Sequence, residues 1–364
     1  MEAGRSAMEN LGLDQKFWDG RKVLLTGHTG FKGGWATLLL TMLGARVYGL
    51  SLAPTDASRF FNAVGIDRLV KSNEYANIKN YDDCLRVMKA SAPEVIIHMA
   101  AQPLVRASYS NPLETYFVNV MGTANVLEAA RQVDTVQAIV NVTTDKCYKN
   151  NEWEWSYREG EPLGGYDPYS SSKACSEIVS AAYRDSFFND KGVQLATARA
   201  GNVIGGGDWS EDRLLPDILR SIDADEKIII RSPSSIRPWQ HVLEPVTGYL
   251  LLAQKLVEDR NIFASAWNFG PEENDCWSVG KVTSKVCEIV QYSDWVSPVA
   301  KKPHEASFLK LDSSKAKTRL GWHPRWHVDM ALQKTVDWHQ DYMQQKNMHD
   351  STVKQILSYQ KDSI

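Results

Sequence analysis

Short apolar runs alternate with longer amphipathic stretches through the first half of the chain. The runs are rich in β-branched residues and almost continuously apolar, as expected of strands covered on both faces of a parallel sheet. They occupy residues 22–26, 45–50, 94–99, 138–143 and 194–199. Helical patterns fall at residues 32–43, 81–91, 112–132 and 169–188. This alternation predicts an α/β fold with a doubly wound parallel sheet of the dinucleotide-binding (Rossmann) type.

The regular alternation weakens after Arg199. Glycine, proline and tryptophan cluster in the second half, and strand-like pieces such as residues 227–231 are short. Helical patterns return near residues 245–257 and 277–291. The change of pattern predicts a second, smaller lobe of mixed α/β structure.

We therefore expect a dinucleotide-binding Rossmann domain over residues 18–200, to which some later strands and helices return. Residues 201–340 are expected to form mainly the substrate-binding lobe. Residues 1–17 and 347–364 have no clear partner in the pattern and are expected to be flexible ends.

Composition narrows the range of partners. The formal net charge is −3 and 23% of the residues are charged, without a basic excess, so we expect neither nucleic acid nor a membrane surface as a partner. No apolar stretch approaches the roughly 18 residues of a membrane span, and the first residues lack the apolar segment of a signal peptide. Five cysteines without a CxxC pair predict a reduced, cytoplasmic protein, and we expect no metal site.

A glycine-rich loop follows the first predicted strand. Gly27, Gly30 and Gly33 are spaced as GxxGxxG and precede a helical pattern. Glycines at this position let the backbone turn tightly and approach a pyrophosphate, which lies at the positive end of the helix. An ordinary glycine turn is the alternative, but the strand before the loop and the helix after it favour a dinucleotide site.

The end of the second predicted strand lacks the acidic residue that commonly binds the adenosine ribose. Ser51 and Arg59 occupy that neighbourhood instead. Because a serine and an arginine are also suited to a 2′-phosphate, this position does not discriminate NAD from NADP.

Tyr169 and Lys173 are four residues apart in a predicted helix and therefore lie on one face. A lysine ammonium beside a phenol favours the phenolate, which makes Tyr169 a candidate base for a hydroxyl group undergoing oxidation. The same spacing occurs at residues 75–79 and 342–346, but only Tyr169 opens the helix that follows the strand at 138–143.

Together these motifs resemble the extended short-chain dehydrogenase/reductases that act on nucleotide sugars. The resemblance includes "HMAAQ" (98–102) and Thr144, and it extends from about residue 17 to about residue 338. It implies NAD as cofactor and a hydride step served by Thr144, Tyr169 and Lys173. The implied cofactor contacts are Gly27, Thr29, Gly30, Phe31, Lys32, Gly33, Ser51, Arg59, Asn77, Ile78, Ala100, Ala101, Gln102, Tyr169 and Lys173.

Two activities of that family, 4-epimerisation and 4,6-dehydration, share the fold and the Tyr/Lys pair. The dehydratases carry an acid after the threonine, most often followed by glutamate, whereas this chain has Asp145-Lys146. That variant is similar to the members that act on CDP-glucose, as are five further stretches: "TGHTGFKG", "AAQPLVRASY", "RAGNVIGGGDW", "RPWQHVLEP" and "WNFGP". The implied function is 4,6-dehydration of CDP-glucose in deoxysugar biosynthesis of the O-antigen type. A 4-epimerase and a catalytically silent NAD-binding module are the alternatives.

By the same resemblance Asp145 is the acid of the elimination and Lys146 holds the position of the base. A second reading keeps Lys146 protonated to stabilise the enolate. Consecutive side chains on a strand point to opposite faces, so both residues reach one sugar only if the strand has ended by Thr144. We therefore expect an irregular backbone at residues 144–147.

The resemblance also implies residues that bind the nucleotide sugar. They are Arg106, Asn202, Arg213, Leu214, Arg237 and His304, with Arg237 favoured for the diphosphate because its planar fork suits phosphate oxygens. For each of these residues, the alternative interpretation is a purely structural role. The family further implies a homodimer formed through a four-helix bundle of the helices at 112–132 and 169–188.

Overall fold

Strands and helices alternate along the chain in the computed structural model, which describes residues 11–56, 58–260, 262–292, 295–297 and 308–362. The strands are β1 (Lys22–Thr26), β2 (Arg46–Ser51), β3 (Ser72–Tyr75), β4 (Val95–His98), β5 (Ala138–Val142), β6 (Gln194–Ala200), β7 (Asn202–Ile204), β8 (Ile228–Ile229), β9 (Ile236–His241), β10 (Ala266–Phe269), β11 (Cys276–Ser278) and β12 (Trp295–Val296).

The α-helices follow the same alternation. They are α1 (Gln15–Trp18), α2 (Phe31–Met42), α3 (Arg59–Val64), α4 (Tyr81–Ser91), α5 (Val105–Ser110), α6 (Pro112–Tyr116), α7 (Gly122–Arg131), α8 (Pro168–Tyr183), α9 (Asn189–Lys191), α10 (Leu214–Asp223), α11 (Leu243–Glu258), α12 (Val279–Val290), α13 (Val328–Met343) and α14 (Met348–Lys361). Single π-helical turns, Phe117–Met121 and Arg184–Phe188, join α6 to α7 and α8 to α9. The helices expected at 112–132 and 169–188 are therefore present with a π turn inside each.

The main sheet has the strand order β10-β6-β5-β4-β1-β2-β3, and each neighbouring pair is parallel. The direction of winding reverses beside β1, which confirms the predicted doubly wound fold. In sheets of this kind a ligand binds outside the carboxyl ends of the strands at the reversal.

Apolar side chains cover both faces of this sheet. In β1, Val23 and Leu25 belong to the core shared with α2 and α11, whereas Leu24 belongs to the core shared with α4 and α7. Successive strand residues point to opposite faces, so a continuous apolar run is what two covered faces require.

The second half of the chain forms a smaller lobe around a third apolar core. β7, β9 and β11 make a three-stranded sheet, and β8 pairs with β12. Buried residues of α10, α12 and α13 pack against β9. β10 returns to the edge of the main sheet beside β6, as expected for later elements, while the boundaries at 18–200 and 201–340 remain predictions.

The expectation of a flexible C-terminal end at 347–364 is wrong for residues 348–361. They form α14, whose Ile356 and Tyr359 are buried in the main core. The Tyr359 hydroxyl donates a hydrogen bond of 2.6 Å to the buried Glu244 carboxylate. The partner of this helix is distant in sequence, so the local pattern did not reveal it. At the other end, Leu11 and Leu13 are buried, and residues 1–10 lie outside the described residues.

None of the helices that the structure describes combines the length and the apolar character needed to cross a membrane.

Candidate active site

The glycine loop between β1 and α2 has a backbone that only small residues allow. Gly27 has a φ of +78°, and a Cβ atom on it would lie 2.9 Å from the Ala100 nitrogen. A Cβ on Gly33 would lie 2.1 Å from the Gly27 oxygen. Gly30 caps α2 without a side chain, so the N–H groups of the first turn face outward without a side-chain acceptor. This cradle fits the diphosphate of a dinucleotide.

The residues suggested for the adenosine ribose lie in different surroundings. The hydroxyls of Ser51 and Thr29 are 2.6 Å apart, which ties the end of β2 to the glycine loop. The Arg59 guanidinium instead lies over the Trp209 ring, 5.1 Å from its centroid. Ser51 thus lies at the glycine loop, whereas the Arg59 side chain packs on the Trp209 indole.

The remaining cofactor candidates follow β3 and β4. The Ile78 carbonyl accepts a hydrogen bond from the Asn125 side chain, and Asn77 immediately precedes it. The Ala100 N–H donates to the Thr26 hydroxyl at 3.1 Å, and the Gln102 N–H donates to the Asn119 side chain at 2.8 Å. The segment that includes Ala101 is therefore fixed beside the end of β1.

The end of β5 turns sharply, as predicted. β5 ends at Val142, and Asp145–Cys147 form a 3₁₀ turn. The Thr144 hydroxyl donates to Asp145 Oδ1 at 3.1 Å and accepts from the Lys146 N–H at 3.3 Å. Because the strand has already ended, Asp145 and Lys146 both line the same cavity.

Asp145 is surrounded by features that favour its protonated form. Its side chain is 1% exposed, and among the described residues its Oδ2 has no hydrogen-bond partner. Burial raises the pKa of this carboxyl, against the opposing charges of Lys146 and Arg237. A buried carboxylic acid that lines a cavity and whose pKa is raised is equipped to donate a proton.

Tyr169 and Lys173 lie one turn apart on α8, next to the end of β5. Burial raises the pKa of Tyr169 to about 12, and a hydrogen bond with the Thr144 side chain opposes that rise. Lys173 Nζ donates to the Val142 carbonyl at 3.1 Å. Burial lowers the pKa of Lys173 to about 8, and the nearby Glu177 carboxylate opposes that fall.

A cavity of about 1070 Å³ lies between the carboxyl ends of the strands and the lobe. It is lined by Thr144, Asp145, Lys146 and Tyr169 together with Arg106, Asn202, Arg213, Leu214 and Arg237. The structure thus brings together the predicted catalytic residues of the strand end and every predicted substrate residue that it describes. His304 lies outside the described residues.

Ion pairs hold two of the cavity arginines that were predicted to bind the substrate. Arg213 contacts Asp208 at 3.0 Å, and Arg106 contacts Asp212 across the mouth of the cavity at 3.2 Å. Arg237 is buried, and its Nη1 donates to the Ile236 carbonyl at 2.9 Å. Sequence reasoning missed both aspartates, although Asp208 lies in "RAGNVIGGGDW".

Lys32, predicted as a cofactor residue, also lines the cavity. Burial lowers its pKa to about 7, reinforced by the charges of Arg213 and Lys173. Its ammonium therefore belongs to the same charged cluster as Asp145 and Asp208.

A buried ion pair behind the cavity, formed by Glu177 and Arg199, was not predicted from the sequence. Glu177 is four residues after Lys173, and Arg199 is the charged residue of the otherwise uncharged strand β6. A charge within a buried strand pattern was the available signal. Across the described ranges, no group of His, Cys, Asp and Glu side chains is arranged to hold a metal ion.

A doubly wound sheet with a glycine cradle after β1 and a Tyr/Lys pair beside β5 is the arrangement of the short-chain dehydrogenase/reductases. Within that class the chain belongs to the GDP-mannose 4,6-dehydratase family, whose model matches residues 24–335. It is 47% identical to a CDP-glucose 4,6-dehydratase of Salmonella typhimurium, over 95% of this chain and 98% of that relative. It is 24% identical to a probable dTDP-glucose 4,6-dehydratase of Sinorhizobium fredii, over 87% of this chain and 92% of that relative.

Solved structures share the fold. The dTDP-glucose 4,6-dehydratase DesIV of Streptomyces venezuelae, solved with NAD, matches with a TM-score of 0.76 and 22% identity over 89% of this chain and 98% of its own. A UDP-glucose 4-epimerase of Thermotoga maritima matches with a TM-score of 0.76 and 20% identity over 88% of this chain and 99% of its own. At these identities the likeness concerns the fold.

Proposed function

We propose that the protein converts CDP-D-glucose to CDP-4-keto-6-deoxy-D-glucose by NAD-dependent 4,6-dehydration. The observation that carries the proposal is the buried Asp145, which lines the same cavity as Tyr169 and whose Oδ2 has no hydrogen-bond partner among the described residues. An epimerase needs a redox pair but no acid for the C6 hydroxyl. The 47% identity to a CDP-glucose 4,6-dehydratase supports the choice of substrate.

Oxidation at C4 comes first because a C4 ketone acidifies the C5 proton. NAD, held at the loop of Gly27, Gly30 and Gly33, would supply the hydride acceptor for C4 and the hydride donor for C6. Tyr169 removes the proton from the C4 hydroxyl, with the Thr144 hydroxyl as hydrogen-bond partner. The positive charge of Lys173 stabilises the phenolate that this step requires.

Two residues of the 3₁₀ turn, Asp145 and Lys146, carry out the elimination of water. Asp145 donates its proton to the C6 hydroxyl, which leaves as water, while Lys146 takes the proton from C5. The lysine returns a proton to C5 when the hydride arrives at C6. Thr144 orients Asp145 by donating to its Oδ1, which leaves Oδ2 for the substrate.

Arginines in the cavity account for binding of the diphosphate. Arg213 and Arg237 both line the cavity, and a guanidinium binds two phosphate oxygens at once. Arg213 is oriented by its ion pair with Asp208, so its direction is set before the substrate arrives. Arg106, at the mouth, adds a third cationic group.

Incubation with CDP-glucose and NAD, followed by mass spectrometry, tests the proposal. We expect a product lighter than the substrate by one water. An altered sugar of unchanged mass would identify an epimerase instead, and an unreacted substrate would leave a binding module. Because the cofactor is restored in each cycle, turnover should need only catalytic NAD.

The protein is further proposed to form a homodimer through the helices of segments 112–131 and 168–188. Large apolar side chains are exposed on these helices and their π turns, namely Leu113, Phe117, Met121, Ile178 and Phe187. An exposed apolar surface of this kind favours association. Analytical ultracentrifugation should give a dimer for the wild type and a monomer for Ile178→Glu. Met330→Glu, at another exposed apolar position on α13 that is 42% exposed against 58% for Ile178, is the control and should remain dimeric.

We place the reaction in the cytoplasm and in deoxysugar biosynthesis of the O-antigen type. The cysteines that the structure describes are all free thiols, which suits a reducing compartment. The 4-keto group of the product is a suitable substrate for later amination, reduction or epimerisation.

A further inference from the structure

A buried ion pair lies behind the residues proposed for the redox step. Arg199 Nη2 contacts Glu177 Oε2 at 2.8 Å, and Arg199 Nε contacts Glu177 Oε1 at 2.9 Å. The two side chains are 4% and 3% exposed. Burying such a pair carries a large desolvation cost, so the pair is weak evidence for a role in stability alone.

The Glu177 carboxylate is also bound by two threonines. The Thr143 hydroxyl donates to Oε1 at 2.5 Å, and the Thr197 hydroxyl donates to Oε2 at 2.6 Å. These four donors hold the carboxylate ionised, and its pKa lies below the usual value despite burial. Glu177 therefore carries a permanent negative charge at neutral pH.

The carboxylate lies next to both parts of the proposed redox site. It lies one helical turn after Lys173 on α8, and it binds Thr143, the residue immediately before Thr144. The guanidinium extends the other way, towards Tyr148, whose hydroxyl accepts from Arg199 Nη1 at 2.8 Å. The ion pair is thus oriented with its negative end towards Lys173.

We propose that Glu177 is a positioning residue for the redox step, in which its carboxylate keeps Lys173 protonated and anchors the strand end that carries Thr144. This inference rests on the proposed function, since it assigns Lys173 the support of the Tyr169 phenolate.

The other groups that face Lys173 do not supply this charge. Burial raises the pKa of the Cys147 thiol well above its usual value, so the thiol is neutral. Burial and the charge of Lys173 lower the pKa of His98 to about 3, so this imidazole is neutral as well. Lys32 supplies no negative charge in either of its protonation states. Among the described groups whose charges act on Lys173, Glu177 is the anion that opposes the effect of burial.

Titration of Lys173 by NMR tests the inference without relying on turnover. Protein with ¹³Cε-labelled lysine is titrated, and the Lys173 signal is assigned by its absence from Lys173→Met. We expect a midpoint near 8 in the wild type. Glu177→Gln should lower it by about one pH unit, because an opposite charge nearby is lost.

Three variants separate charge from structure. Thr197→Val removes one hydrogen bond from the same carboxylate but leaves its charge, so the Lys173 midpoint should not move. Glu177→Asp keeps the charge and should stay closer to the wild type than Glu177→Gln. The double variant Glu177→Gln/Arg199→Gln avoids an unpaired buried guanidinium and should shift the midpoint downward as well.

The pH profile of kcat/KM with CDP-glucose gives a second readout. As the Lys173 pKa falls, the ammonium is lost at lower pH, so the alkaline limb of the Glu177→Gln profile should move to lower pH. An unchanged Lys173 midpoint in folded Glu177→Gln, or in the double variant where the single variant does not fold, would overturn the inference. A wild type that leaves CDP-glucose unreacted contradicts the proposed function instead, because the NMR titration is independent of substrate.

Discussion

Asp145 and Lys146 are adjacent in the sequence but lie in different surroundings. Asp145 is buried, and its Oδ2 has no partner in the part of the chain that the structure describes, whereas Lys146 is half-buried at the cavity wall. Burial raises the pKa of Asp145 and outweighs the opposing effect of the Lys146 charge on it. The 3₁₀ turn is what allows both side chains to act on one sugar.

Replacement of Asp145 by Asn should separate oxidation from elimination. The amide keeps the shape and still accepts from Thr144, but it has no acidic proton for the C6 hydroxyl. We expect dehydration to fall by about 10²–10⁴-fold while C4 oxidation persists. Rapid-mixing absorbance of the reduced cofactor measures the first step, and mass spectrometry measures the loss of water. Tyr169→Phe is the control that should block both steps, and an Asp145→Asn variant unable to oxidise C4 would contradict the division of roles.

Lys146→Met distinguishes the two roles considered for this lysine. Methionine has a similar length but cannot take a proton. If Lys146 is the base, the variant oxidises C4 but fails to exchange the C5 hydrogen with solvent, and this is the result we expect. Deuterium incorporation at C5 at a near-normal rate in D₂O would instead assign the proton to another group and leave Lys146 as a cation that stabilises the enolate.

The loop between β1 and α2 shows how one element depends on close backbone contact. Gly33 lies in the first turn of α2, and its α-carbon packs directly on the Gly27 peptide. This contact keeps the start of the helix close to the end of β1, where a diphosphate would lie. Because this contact leaves no room for a side chain, glycines must occur at this spacing, and the spacing therefore predicted the loop from the sequence.

Gly33→Ala should therefore weaken NAD binding. The added methyl would lie 2.1 Å from the Gly27 oxygen, so the loop must open. We expect the Kd for NAD, measured by calorimetry, to rise by at least about tenfold, which is 1.4 kcal/mol. Gly160→Ala is the matched control and should leave the Kd unchanged, because a Cβ there meets no atom of the described residues within 4 Å. Equal affinities of Gly33→Ala and wild type would argue against this loop as the cofactor cradle.

Across the whole molecule, Glu244 joins segments that are distant in sequence. Its carboxylate accepts from the Tyr359 hydroxyl of α14 and from the N–H groups of Arg325 and Trp326. Burial nevertheless raises its pKa to about 7. Because the folded-state pKa lies above the unfolded value, the folded state favours the protonated form. The associated stability is present at low pH and is lost as the pH rises through about 7.

Glu244→Gln should show this pH dependence directly. Glutamine is neutral at every pH, so the destabilisation it causes should be largest near pH 5 and smaller near pH 8. The destabilisation should fall by roughly 2–3 kcal/mol between pH 5 and pH 8, because wild-type stability declines over the two pH units from 5 to the folded-state pKa of about 7. Urea unfolding at both pH values measures it, with the exposed Glu154→Gln as a control that should show no such change. A difference that is constant with pH would show that Glu244 is ionised throughout.

The sequence by itself determined the alternation of strands and helices, the glycine cradle, the Tyr169/Lys173 face and the break at residues 144–147. Each of these depends on neighbours within a few residues, where periodicity and backbone sterics act. Only the tertiary structure decided that Asp145 is buried at the wall of a cavity, that Glu177 pairs with Arg199, and that α14 packs on the core. Burial and pairing depend on elements far apart in the chain, and these contacts set the charges on which the proposed chemistry rests.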